Sequence, residues 1–276
     1  MRGPLAMTAL ISAQKLLTQQ LLLQEDLVVV DCRYALTDPE AGRGQYALGH
    51  VTGAHYLDLE RDLSGEAGRH GGRHPLPQPQ DFALTLAALG IDQQTRVVAY
   101  DDSRLAFAAR LWWLMRSLGY RPPQLLDGGY RAYLAAGGVA ETGVSKLRSG
   151  EIVSVGSYSG FCDREGLLQA QARNAWVVDS REAGRYQGLE EPIDPVAGHI
   201  PGAVNRPWQG VTDDTGTVCS EAELRTHWGD ALQAQELLVY CGSGVTACVN
   251  LWSLSMLGRE DAQLYAGSWS DWCSYL

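Results

Sequence analysis

The 276-residue chain has no apolar run approaching the ~20 residues that cross a bilayer. Its N-terminal stretch, Met1 to Leu23, is apolar only in patches. Gln14, Lys15, Gln19 and Gln20 interrupt any signal-peptide core. Closely paired cysteines are also missing. The six cysteines (32, 162, 219, 241, 248 and 273) are scattered, with no CxxC and no Cys/His spacing of the kind that holds a metal. No metal and no other cofactor is therefore expected. Positive charge is scarce, with 22 Lys and Arg against 32 Asp and Glu and a formal charge of −10. That argues against nucleic acid and anionic membranes as partners, and an anionic ligand would need a local basic pocket. What is present, 45% hydrophobic and 20% charged residues, suits a globular chain with a sizeable core, in one large or two ordinary domains. A chain this long does not need disulfide staples, so a reducing cytoplasm is the expected location.

Four segments occur twice in the same order. Val28-Val29-Val30-Asp31-Cys32-Arg33 returns as Trp176-Val177-Val178-Asp179-Ser180-Arg181, and Gly49-His50-Val51-Thr52-Gly53-Ala54 as Gly198-His199-Ile200-Pro201-Gly202-Ala203. Arg96 to Asp101 returns as Glu236 to Cys241, and Leu126 to Tyr130 as Tyr265 to Trp269. Displacements of about 140–150 residues indicate duplicated domains, since solenoid periods are roughly 20–50. Each copy alternates helices with short apolar strands. Helices are predicted over Ala13 to Gln24 and Arg164 to Ala172, and a last strand near Leu125 and near Leu264. The fold class is therefore α/β, with a mainly parallel sheet flanked by helices in each copy. The Gly- and Ser-rich stretch between the copies reads as a linker. The predicted division is 1–137, a linker over 138–160, and 161–276.

The stretch that carries chemistry is Leu237-Leu238-Val239-Tyr240-Cys241-Gly242-Ser243-Gly244-Val245-Thr246-Ala247-Cys248. It reads as a strand, a tight loop opening on cysteine, and a helix from Ala247 to Leu257 closed by Gly258. The glycines allow successive N–H groups to turn inward beside the positive end of the helix dipole. A thiol at such a centre is expected as thiolate, since helix N-termini lower the free value of ~8.5 to roughly 3.5–7.5. The reading requires a thiol that a donor can reach and loop amides that face it. The first copy has Asp101 in place of Cys241 and Asp102-Ser103-Arg104 in place of Gly242-Ser243-Gly244. It is expected to lack the chemistry and, being poor in glycine, to wrap its amides around an anion less well.

These motifs resemble the two-domain rhodanese-like sulfurtransferases, across essentially the whole chain. The loop from Cys241 to Ala247 is similar to that of the 3-mercaptopyruvate sulfurtransferase branch. The thiosulfate branch carries bulky basic residues at the positions of Gly242 and Ser243. The resemblance implies two tandem rhodanese-like domains, the second catalytic. It implies that Cys241 takes sulfur from a small anionic donor, 3-mercaptopyruvate or thiosulfate, as a persulfide. The sulfur then passes to cyanide, a thiol or a thioredoxin-like protein. The backbone of Gly242, Ser243, Gly244, Val245, Thr246 and Ala247 would cradle the sulfur, with Ser243 and Thr246 offering hydroxyls. Arg185 matches the first substrate arginine of the family. A second usually follows a Glu-Pro pair, but Glu191-Pro192 is followed here by Ile193 and Asp194. Donor preference therefore stays open. Asp62 and His74, from the first copy, match the residues that the mercaptopyruvate branch places near the loop serine. The first copy is expected to form the other wall of the site. Arg33, Arg181, His50 and His199 recur in both copies and are expected to be structural.

Other chemistries fit less well. A cysteine phosphatase needs an arginine at the position of Ala247. The run Gly242-x-Gly244-x-x-Ala247 mimics a dinucleotide fingerprint, but too few residues follow it for the remaining strands. The rival from another class is a persulfide carrier or docking module, loaded by a partner without turning over a small donor.

Overall fold

The structure, a computed structural model, describes residues 9–21, 27–145, 150 and 155–276. They fall into two compact units. Unit 1 takes the chain up to Ser64, Pro77–Tyr158 and Asp214–Val218. Unit 2 takes Gly65–Leu76, Ser159–Asp213 and Cys219–Leu276.

In unit 1 the order is β1 (Leu10–Ile11), α1 (Ala13–Leu21), β2 (Leu27–Asp31), α2 (Ala41–Leu48), β3 (His50–Val51), β4 (Ala54–Tyr56), α3 (Pro79–Ala88), β5 (Arg96–Tyr100), α4 (Ala108–Ser117), β6 (Gln124–Leu126), α5 (Gly129–Ala135) and β7 (Ala140–Glu141). Its main sheet runs β1-β6-β5-β2-β4, with every pairing parallel. Unit 2 follows with β8 (Phe161–Cys162), α6 (Arg164–Ala172), β9 (Trp176–Asp179), α7 (Ala183–Gln187), β10 (Val204–Asn205), α8 (Glu221–Trp228), β11 (Leu237–Tyr240), α9 (Ala247–Met256), β12 (Gln263–Tyr265) and α10 (Ser268–Cys273). Its parallel sheet, β10-β9-β11-β12-β8, repeats the same strand order. The duplicated segments thus become duplicated sheets, with β5 and β11 at their centres. Helices cover such a strand on both sides, which is why Val97 to Tyr100 and Leu237 to Tyr240 are continuous buried runs. In a parallel sheet, the loop beyond the carboxyl end of a central strand is where ligands bind. Those loops open on Asp101 and Cys241.

Three boundaries differ from the sequence reading. Helix α1 is described to Leu21, and residues 22–24 of its predicted span lie outside the described residues. Residues 140–141 of the predicted linker form β7, antiparallel to β3, and Glu141 accepts the Gly53 N–H at 2.6 Å. Residues 146–149 and 151–154 of that linker lie outside the described residues. Most consequential is residues 65–76, which the repeat assigns to the first copy but which pack with unit 2. Among the described residues, no helix is long and apolar enough to cross a membrane.

Candidate active site

Cys241 is the first residue past β11, and its backbone is held on both sides. Its N–H donates to Ser268 Oγ at 3.2 Å and its carbonyl accepts from Trp269 N–H at 3.0 Å. The Gly242 carbonyl accepts from Ser270 N–H at 2.8 Å. Ser268 is fully buried and left-handed (φ 57°), a costly state for a residue with a side chain, here stabilised by its hydroxyl. Gly244 has φ 78°, and a Cβ there would lie 2.3 Å from the Ala266 carbonyl oxygen, so only glycine fits. Cys248 N–H donates to Val245 and Val249 N–H to Thr246, which starts α9. Thr246 occupies the N-cap position but makes no side-chain cap bond, so its hydroxyl is not spent on the helix. The N–H groups of Gly242, Ser243, Val245, Thr246 and Ala247 have no protein acceptor among the described residues. Five donors of one loop left open in this way call for an anionic acceptor.

The matching loop of unit 1 already contains one. Asp101 Oδ1 accepts from the N–H of Ser103 (2.8 Å) and Leu105 (3.0 Å), and Oδ2 from Phe107 and Ala108 (both 2.9 Å). The expectation that this loop would wrap an anion poorly is therefore wrong. Arg104 and Leu105 adopt left-handed conformations (φ 58° and 71°) in place of glycine, and the buried carboxylate repays that strain. The first copy has a ring of amides filled by its own side chain.

Residues 65–76 bring further groups to the loop of unit 2. Gly71 N–H donates to Asp271 (2.7 Å), Arg73 N–H donates to Ser270 (3.1 Å), and His70 meets Ser274 at 2.7 Å. Gly72 (φ 84°) passes so close that a Cβ would lie 2.4 Å from the Gly267 carbonyl. This strap sets His74 Nδ1 2.7 Å from Ser243 Oγ, with both residues buried. It also carries Arg73 to Gly242. A Cβ on Gly242 would lie 3.2 Å from Arg73 Nη2, and 3.4 and 3.5 Å from Arg185 Nη1 and Nη2.

Arg185, on α7, is held by carboxylates. Glu191 binds its Nη2 at 2.6 Å and its Nε at 3.1 Å, and Asp194 binds Nη2 at 3.0 Å. Asp194 also pairs with Arg73, and Glu191 with Arg181 at 3.1 Å. Burial pushes the Glu191 carboxyl up, but Arg185 and the amides of Asp194 and Ile193 outweigh it, so its pKa falls. For Asp194 burial prevails over Arg73 and Arg185, and its pKa rises.

One requirement of the sequence reading is not met: residue 241 is 1% exposed. Strand β11 is covered on both faces, and the strap places Arg73 and His74 over Gly242 and Ser243. Asp62 belongs to unit 1, where its carboxylate accepts the Asp58 N–H at 2.7 Å and burial pushes its pKa up. Arg33 and Arg181 each bind the carboxylate two residues before them (2.6 Å) and a glycine carbonyl, of Gly49 and Gly198. His50 and His199 each stack on a tyrosine and bond its carbonyl at 2.8 Å. These four residues serve the same architecture twice. Arg73, Asp194, Glu191 and Ser268 went unassigned in the sequence, although the glycine pair before Arg73 was a signal of close approach.

Two tandem α/β units, with a cysteine loop in the second and an aspartate loop in the first, define a duplicated domain class. The family model described as the rhodanese-like domain matches twice, over residues 14–136 and 163–275, and the chain belongs to that family. It is 46% identical over 272 residues to a probable 3-mercaptopyruvate sulfurtransferase of Pseudomonas aeruginosa, covering 95% of each chain. It is 38% identical over 250 residues to a putative thiosulfate sulfurtransferase of Mycobacterium tuberculosis, covering 89% of this chain and 87% of that one. The crystal structure of the Escherichia coli 3-mercaptopyruvate enzyme superposes with a TM-score of 0.83 at 30% identity, covering 95% of this chain and 99% of the other.

Proposed function

We propose that this protein is a sulfurtransferase. It takes a sulfane sulfur from 3-mercaptopyruvate or thiosulfate onto Cys241 and delivers it to a thiophilic acceptor such as cyanide, a thiol or a thioredoxin-like protein. The observation that carries the reading is the set of loop N–H groups after Cys241 left without a protein acceptor among the described residues, set against the matching loop of unit 1, whose N–H groups bind a carboxylate. A persulfide anion on Cys241 would stand where the Asp101 carboxylate stands and would take the same kind of bonds.

Cys241, 1% exposed in this structure, must first be uncovered; its thiolate then attacks the outer sulfur of the donor, forming an S–S bond. With thiosulfate the donor S–S bond breaks and sulfite leaves with the electron pair. With 3-mercaptopyruvate the C–S bond breaks and the enolate of pyruvate leaves, to be protonated at carbon. Cyanide then takes the outer sulfur as thiocyanate and restores the thiolate. Arg185 offers its guanidinium to the anionic donor. The hydrogen bond between Ser243 and His74 supports proton transfer to the leaving carbon and from the donor thiol. None of the six cysteines is in a disulfide, which suits the reducing cytoplasm, where we place the protein.

The test is turnover with each donor and cyanide, together with intact-protein mass. The expected result is thiocyanate release and, without acceptor, a gain of about 32 Da (one sulfur) on Cys241, both lost in Cys241→Ser. A Cys241→Ser protein that keeps full turnover would refute the assignment. An adduct formed only from a protein persulfide would instead identify a carrier.

A further inference from the structure

We infer that the strap, residues 65–76, is a lid over Cys241 that opens at a neck and is latched by Asp271. The inference rests on the sulfurtransferase reading only for the requirement that a donor and an acceptor reach the sulfur. Strand β11 lies at the centre of its sheet, and α9 and α10 bury Leu251, Trp252, Trp269 and Trp272. Moving any of these elements to uncover Cys241 would break the core. The strap has no such anchor: His74 is its one buried residue, and it buries no apolar side chain. Segments held in this way open at free energies well below that of the whole fold.

The strap's own geometry defines the flap. Gly65 N–H donates to the Pro75 carbonyl at 2.9 Å, which brings the two ends together as in an Ω-loop. Residues 66–70 face solvent. The opposite flank meets α10 and the residues after it. Gly71 N–H donates to Asp271 Oδ1 at 2.7 Å, and Arg73 N–H to Ser270 Oγ at 3.1 Å. His70 meets Ser274 Oγ at 2.7 Å and stacks on Tyr275, with ring centroids 4.1 Å apart. Asp271 is set independently of the strap, because it is buried and its Oδ2 accepts from Tyr265 O–H at 2.6 Å. Its other oxygen is turned to the strap. Gly71 and Gly72 have φ of 97° and 84°, and glycine crosses to negative φ at little cost, so these two residues can absorb the change of direction.

The duplication supplies a control. Continued past Trp269, the repeat sets Arg131, Ala132, Ala135 and Ala136 opposite Ser270, Asp271, Ser274 and Tyr275. The groups that hold the strap are confined to the copy that has the cysteine. Closing sets His74 against Ser243 and opening parts them, so the site is complete only when covered.

The test uses the full-length protein. Hydrogen exchange read by peptide mass should show the N–H groups of Gly71 and Arg73 exchanging far faster than those of Leu238 to Tyr240. Iodoacetamide should alkylate Cys241 through the same opening, at a rate nearly constant in low urea, since a local opening exposes little surface. His70→Ala, at an exposed position, and Ser274→Ala should each raise that rate roughly 3- to 10-fold, the loss of one hydrogen bond. Asp271→Asn should raise it about tenfold or more, the loss of a charged acceptor. Strap N–H groups as protected as the strand, or alkylation that follows global unfolding in urea, overturn the inference. So does an alkylation rate that none of the three substitutions changes. A lid that opens in this way in a protein that transfers no sulfur would sustain the inference and defeat the sulfurtransferase reading instead.

Discussion

At the scale of single residues, the site depends on side chains with their partners already chosen. Arg185 is mostly buried yet has a free edge because two carboxylates occupy the rest of its fork, so its position is set before any donor arrives. Cys241 has the opposite character, with a backbone fixed by Ser268 and Trp269 and a following loop whose N–H groups at 242, 243 and 245–247 have no protein acceptor among the described residues. A titratable residue outside the site permits a sharper prediction. Burial, with a smaller push from Arg206, lowers the pKa of His227 from 6.5 to about 4. A histidine whose folded pKa is depressed binds its proton more readily when unfolded. Its contribution is therefore complete above about pH 6.5 and is lost as pH falls towards about 4. Urea unfolding across that range should show stability falling with pH, and His227→Gln should flatten this part of the profile. An equal slope in both proteins would remove His227 as the cause.

At the scale of elements, the same strand–loop–helix appears twice with opposite contents. In unit 1 four amides close on the Asp101 carboxylate, and two non-glycine residues accept left-handed geometry to make this possible. In unit 2 the glycine at 244 permits the turn without that strain, and among the described residues no acidic side chain accepts from the N–H groups of Gly242, Ser243, Val245, Thr246 and Ala247. Asp101→Ala should therefore cost about 2–4 kcal/mol in unfolding free energy, because buried N–H groups lose a charged acceptor. Turnover per folded molecule should be unchanged, and sulfate should return part of the lost stability by entering the emptied ring. Thermal melts with and without sulfate, alongside activity, check this. A variant as stable as the wild type would show that the ring does not depend on its carboxylate.

At the scale of the molecule, each unit contains a segment that lies within the other's stretch of sequence. Residues 65–76 belong with unit 2, and Asp214–Val218 with unit 1, where Val218 N–H donates to Asp127 and Arg104 pairs with Asp214. Neither unit can unfold without releasing a segment drawn from the other's stretch of sequence. Calorimetry should therefore show one unfolding transition, with van't Hoff and calorimetric enthalpies in agreement. Two resolved transitions would show that the exchanged segments do not couple the units.

The α/β class, the duplication, the helix over Arg164–Ala172, the two late strands and the cysteine at the end of a strand were all legible along the chain. Each rests on neighbours in sequence: apolar runs, glycine punctuation, and two copies that could be laid side by side. The repeat also marked Arg33, Arg181, His50 and His199 as architectural, because a residue kept where the nucleophile is absent has another job. Local pattern carries no information about which distant segments meet. The strap's place on unit 2, Asp194 joining Arg73 to Arg185, Ser268 under Cys241, and the burial of that cysteine arise from contacts between residues far apart in the chain. His74 and Ser243, 169 positions apart, meet only because Gly72 can pass so close to a backbone carbonyl. The amide ring of unit 1 lay hidden for a related reason: the glycines that signal such a loop in sequence are unnecessary when a buried carboxylate offsets the strain. Sequence thus determined the elements and the reactive atom, and tertiary packing decided which charges surround it.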